Sequence, residues 1–97
     1  MNKRSAATLR PEGKPTRSEH VTWEHFGQDI IAFHPISKQY FIFNTVAARI
    51  WELCNGQLSI RMITSTVRNE FNSSAPQVDT DVIETIEGFV ELGLLNP

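Results

Sequence analysis

Along this 97-residue chain the apolar residues first alternate, then run together, and then recur at helical spacing, which divides the sequence into elements. "VTWEHFG" (21–27) and "DIIAFHP" (29–35) are short runs rich in β-branched and aromatic residues. Gly27-Gln28 between them has the composition of a tight turn, and Pro35, which has no N–H to donate, closes the second run. "ISK" then turns the chain into "QYFIFN", where Gln39, Phe41 and Phe43 share one face and Tyr40, Ile42 and Asn44 the other. Three runs joined by short connections predict an antiparallel meander. Its last strand is apolar on both faces, more than a small core requires.

From Val46 onward the period lengthens to that of a helix. Val46, Ala47, Ile50, Leu53 and Cys54 form an apolar stripe, with Asn44 or Thr45 placed to cap it and Gly56 to stop it. Ser59 is placed to cap a second helix carrying Ile60, Ile63, Val67 and Phe71, which Asn72-Ser73-Ser74 breaks. Ser74 and Gln77 have the spacing of a capping box, Pro76 fits a first turn, and a third helix runs to a stop at Gly93. The predicted order is β-β-β-α-α-α. That is an α+β, winged helix-turn-helix-like domain, a three-stranded antiparallel sheet followed by three helices, over residues 19–97.

At about 100° per residue, Leu92, Phe89, Val82, Ile86, Val90 and Ile83 cover roughly half of the third helix. A helix that only covers a core needs a narrower stripe. Val82 and Phe89 are assigned to the core, which leaves Ile83, Ile86 and Val90 for something beyond it. Gly88 interrupts this helix at a cost of up to about 1 kcal/mol relative to alanine.

Charge narrows the function classes. The net charge of −2 gives no general attraction to nucleic acid or to anionic membranes. Residues 1–17 carry Lys3, Arg4, Arg10, Lys14 and Arg17 against Glu12 alone, with few apolar residues, so 1–18 reads as a disordered basic tail. A helix-turn-helix invites a DNA reading, but its recognition helix would carry Asp79, Asp81, Glu84, Glu87 and Glu91 with no basic residue beyond Arg68. Such a helix repels phosphate rather than neutralising it. No stretch approaches the roughly 18 apolar residues of a membrane span, and no secretory h-region is evident. A single cysteine, Cys54, cannot form an internal disulfide, in keeping with a cytoplasmic protein.

Catalytic chemistry has little to stand on. His20, His25 and His34 lack the repeated spacing of metal ligands, and Cys54 lies on an apolar helical stripe, where a thiol is buried and inert. There is no phosphate-binding glycine loop. A non-enzyme without cofactor or metal is expected. Trp51 lies about 100° off the main stripe of its helix and reads as a partly buried packing residue.

"FNTVAARIWELCNG", "LSIRMITSTVRNEF" and "DVIETIEGFVELGLL" together resemble the PqqD family. The pattern falls on Asn44, Ala47, Ile50, Trp51, Glu52, Leu53, Gly56, Asp81, Val82, Gly93, Leu94 and Leu95. Phe43 replaces the usual leucine before Asn44, and Asn55 stands where aspartate is common. The resemblance implies a RiPP recognition element, which binds the leader of a ribosomally made precursor peptide and presents it to a modifying enzyme. That enzyme would be a radical SAM protein in coenzyme PQQ synthesis or a leader peptidase in lasso-peptide synthesis. It also implies that the leader adds as a fourth strand beside the third, against the last helix. An edge strand's unpaired N–H and C=O groups suit such addition. The expected peptide-binding residues are Lys38, Gln39, Tyr40, Phe41, Ile42 and Phe43 on the strand side and Ile83, Ile86 and Val90 on the helix side. A winged-helix nucleic-acid binder using the tail, and a homodimeric interaction module, are the alternatives.

Overall fold

The structure, a computed structural model, describes residues 9–71 and 75–97. Strands β2 (Thr22–Phe26), β3 (Asp29–His34) and β4 (Gln39–Phe43) form an antiparallel sheet in the order β2-β3-β4. Helices α1 (Thr45–Leu53), α2 (Ile60–Phe71) and α3 (Ala75–Glu91) follow it, as the change of period predicts. Two short strands are additional: β1 (Thr16–Arg17) pairs antiparallel with β5 (Leu95–Asn96) and ties the two ends of the domain together.

Helix ends follow the side chains that the sequence offers. The Ala47 N–H donates to Asn44 Oδ1 over 3.0 Å at the start of α1, and the Met62 N–H to Ser59 Oγ over 3.1 Å at the start of α2. At the end of α3, Gly93 takes a left-handed conformation (φ 76°). Its N–H donates to the Val90 carbonyl, and the Leu94 N–H reaches back to Phe89. These two bonds satisfy carbonyls that a helix end otherwise leaves open. The break at Asn72-Ser73-Ser74 and the Ser74 cap lie outside the described residues.

The core is centred on α1, which lies between the sheet and the other two helices. Trp51 is fully buried, with ring contacts to Trp23, Phe43 and Phe89 at centroid distances of 6.2, 5.2 and 5.3 Å. Its assignment as a partly buried side chain is corrected. A helix covered on two sides buries two flanks, so the residue off the main stripe is also enclosed, whereas Val46, on that stripe, is exposed.

The largest correction concerns the N-terminal segment. Residues 1–8 lie outside the described residues, but Leu9–Ser18 is folded against the domain and is not a disordered tail. Pro15 is fully buried. The carbonyls of Gly13 and Pro11 accept from the Ile60 and Arg61 N–H groups, both over 2.9 Å, and so cap the first turn of α2. Arg17 Nη1 donates to the carbonyls of Trp51 and Glu52, each over 2.9 Å, at the C-terminal end of α1. It also stacks 5.1 Å over the Trp23 ring. α1 has no basic residue in its own last turn, so Arg17 supplies the cation that a helix C-terminus favours. The segment is ordered by polar groups at two helix ends, a gain that its low apolar content does not reveal.

Replacing Arg17 by alanine is expected to lower the unfolding free energy by about 2 kcal/mol, since two charge-assisted hydrogen bonds to helix-end carbonyls are lost. Urea denaturation measures it. An unchanged midpoint would mean that the segment contributes nothing to the fold.

Candidate functional site

The sheet has two edges, and they differ. At the β2 edge, His25 Nε2 meets Glu52 Oε2 of α1 at 2.8 Å, and Arg17 lies over Trp23. At the β4 edge, no backbone hydrogen bond from outside the sheet reaches Gln39–Phe43 among the described residues. Natural edges are blunted by lysine, proline or a bulge. "QYFIF" contains no charge and no proline, and its pairing with β3 is continuous over five residue pairs. This edge is open to another strand.

Alternation along β4 sorts its side chains. Phe43 is buried against Phe89 of α3, with ring centroids 4.8 Å apart, and Phe41 is half-buried on the same face. Tyr40 and Ile42 point to the other face and are 72% and 74% exposed. There Tyr40 lies beside Phe33 at 4.7 Å, and Ile31 is half-buried next to Ile42. Phe26, at the end of β2, is 73% exposed on that face as well. Lys38 is exposed in the turn before β4 with φ of 60° and does not belong to the strand.

Helix α3 runs alongside β4. Near its start, Asp81, Glu84 and Thr85 face Asn44, Val46 and Ala47 across an open groove of about 310 Å³. At its end, a Cβ on Gly93 would lie 3.4 Å from His34 Nε2, and His34 is the residue paired with Gln39. The flank of α3 on the groove side therefore carries Asp81, Thr85, Gly88 and Leu92, which helical spacing places in one row. Leu92 is 49% exposed.

That row is not the flank expected from the sequence. Ile86 is fully buried with Val82 and Phe89 and has no surface to offer a peptide. Ile83 lines a separate cavity of about 520 Å³ with Leu9, Pro11, Ile60 and Arg68. Val90 is half-buried on the same side of α3 as Ile83. The apolar width of α3 is taken up by the core and by the N-terminal segment, not by a groove. The groove-side row contains a threonine, a glycine and an aspartate, and no apolar pattern marks it. Only the placement of α3 against β4 reveals it.

Electrostatics separates the basic and acidic residues further. Arg49 chelates Glu70 over 2.8 and 2.9 Å, Arg61 pairs with Glu12, and Arg68 reaches Asp79 over 2.7 Å. Arg49 holds the Glu70 carboxyl below its usual range. These guanidinium groups are engaged within the chain. Among the described residues no group of histidine, cysteine and carboxylate side chains has the arrangement of a metal site, and no helix is long and apolar enough to cross a membrane.

Cys54 is fully buried, and burial pushes its thiol from 9.0 up to about 12. It is expected not to react with a disulfide reagent at about pH 8 until denaturant is added, when one thiol per chain should appear. The unfolded thiol ionises first as pH rises, so stability should decline from about pH 9 towards 12. Cys54→Ala should lack that component of the decline. Rapid labelling of the native protein would contradict the burial.

The fold and its open edge define the class: a winged helix-turn-helix-like α+β domain with a three-stranded sheet. The profile of the family described as coenzyme PQQ synthesis protein D (PqqD) matches residues 29–95, and the chain belongs to the PqqD family. Two solved structures share its fold. "TbiB1 in complex with the TbiA(beta) leader peptide" superposes with a TM-score of 0.77 at 22% identity, covering 84% of this chain and 94% of that one. "Lasso peptide synthetase B1 complexed with the leader peptide" gives 0.76 at 14% identity, covering 87% and 99%. No curated protein matches the sequence.

Proposed function

We propose that this protein is a non-catalytic RiPP recognition element that binds the leader of a ribosomally synthesised precursor peptide. The leader adds as a strand to β4, beside the groove-side row of α3. The observation that carries this reading is the unprotected β4 edge with a helix standing alongside it. Main-chain bonds to Gln39–Phe43 supply affinity, and side chains entering the groove supply selectivity. The two solved structures compared above are complexes with leader peptides, which supports leader binding here.

The partner to which the leader is delivered is a modifying enzyme, a leader peptidase in a lasso-type pathway or a radical SAM protein in a PQQ-type pathway. The outer face of the sheet supports a second partner. Phe26, Ile31, Phe33, Tyr40 and Ile42 form an apolar patch on the side away from the helices, and contiguous patches of this kind mark interaction surfaces. The protein then works in the cytoplasm. Nucleic-acid binding is disfavoured because Asp81, Glu84 and Glu91 lie exposed along α3 while Arg49, Arg61 and Arg68 are paired with carboxylates.

The test is fluorescence anisotropy with a labelled synthetic leader of the precursor encoded beside the gene. Saturable binding is expected to persist as salt rises. Affinity for duplex DNA that falls steeply with salt, with none for the leader, would replace this reading by the nucleic-acid one. Phe26→Asp, on the outer face and away from the groove, should leave leader affinity within about twofold while slowing processing by the partner enzyme about tenfold.

A further inference from the structure

Helix α3 carries an interior glycine for which the chain itself gives no packing reason. A Cβ built on Gly88 would meet no atom within 4 Å, so no neighbour needs the space that the glycine leaves. Gly56 is the contrast: there a Cβ would come within 2.9 Å of Thr16 Oγ1. Nor is a left-handed backbone required, because the glycines with positive φ are Gly27, Gly56 and Gly93. Gly88 weakens its helix and nothing inside the domain offsets the loss.

Its position gives the loss a meaning. Gly88 lies one turn beyond Glu84 and three residues beyond Thr85, both of which line the groove, and one turn before the exposed Leu92. The next residue, Phe89, packs on Phe43, while α3 ends near His34. Gly88 therefore lies on the groove-side row between Thr85 and Leu92, next to the residue that packs on Phe43. A strand added to β4 would send alternate side chains into this space, on the face shared by Phe41 and Phe43.

The geometry points to Gly88 as the specificity-determining position of the groove. It makes room for one large apolar side chain of the added strand, aromatic or branched aliphatic, between Thr85 and Leu92. This inference rests on the proposed strand addition. The guest side chain meets helix backbone where any other residue would present a Cβ, with the exposed Leu92 one turn further along the helix. A polar or short guest residue leaves that space unfilled, which is the basis of discrimination.

The test uses the labelled synthetic leader, a set of leaders each with one apolar residue changed to alanine, and the variants Gly88→Ala and Gly88→Leu. Gly88→Ala should raise Tm by about 4 °C or more yet weaken leader binding about tenfold, and Gly88→Leu should weaken it about 100-fold. One truncated leader should bind the native protein poorly but bind Gly88→Leu better than the full leader does, because its shortened side chain accommodates the leucine. Native-like affinity of both variants for the full leader would overturn the assignment of Gly88 and leave strand addition standing. Failure of the native protein to bind the leader at all would overturn both. Gly88→Ala adds a single methyl group in open space, so the test stands even if leucine disturbs the helix.

Discussion

Replacing Trp51 by alanine is expected to lower the unfolding free energy by about 3–5 kcal/mol, the usual cost of removing a large buried aromatic side chain. A domain of this size has only about 5–15 kcal/mol in all, so roughly a fifth or more of its stability would be lost. Tm should fall by more than about 12 °C. The reason is the ring's position. Trp51 is fully buried and touches Trp23 of β2, Phe43 of β4 and Phe89 of α3, so one side chain joins both outer strands and the last helix. The effect should therefore extend beyond stability. With Phe43 and Phe89 no longer held against a common ring, the spacing between β4 and α3 relaxes, and leader affinity should fall in conditions where the variant is still folded. Val46→Ala, at an exposed position of the same helix, should cost less than about 1 kcal/mol. Thermal unfolding followed by circular dichroism distinguishes the two. A loss at Trp51 no larger than at Val46 would mean that the core is centred elsewhere.

The second large effect lies in the peptide rather than the protein. Methylating the backbone nitrogens of alternate leader residues yields two complementary peptides. In an added strand, alternate N–H groups point towards β4 and the others point away. One peptide should lose about 100-fold in affinity, because some three bonds of about 1 kcal/mol each disappear and the methyl groups meet the strand. The other should bind within a few-fold of the unmodified leader. Equal losses for the two would point to helical or irregular binding, in which every second amide has no special standing.

The parts of the fold governed by local chemistry were legible in the sequence. Asn44, Ser59 and Gly93 act where residue type and spacing place them, because helix ends need an oxygen acceptor at the start and a residue free to turn left-handed at the stop. β4 was legible because a run of aromatic and β-branched residues entered from a turn favours a strand. What was hidden depends on which elements lie side by side. Arg17 and Pro15 read as solvated tail residues because charge and low apolar content dominate their stretch, yet they meet helix ends distant in sequence. Ile83, Ile86 and Val90 read as surplus because the periodicity of a single helix does not say how many neighbours will cover it. In the groove itself, Thr85 and Gly88 have no apolar signature, and a glycine within a helix reads as a weakness until the neighbouring space is seen to be open.

The central claim is that a leader strand joins β4 beside α3. Its most direct test is an amide chemical-shift titration of isotopically labelled protein with the leader, followed by hydrogen exchange of the complex. Strand addition predicts large shifts at Gln39–Phe43 and along the row of Asp81, Thr85, Gly88 and Leu92, and slowed exchange for the β4 amides that face the open edge. Shifts confined to the cavity lined by Leu9, Pro11, Ile60 and Ile83, with exchange in β4 unchanged, would contradict it.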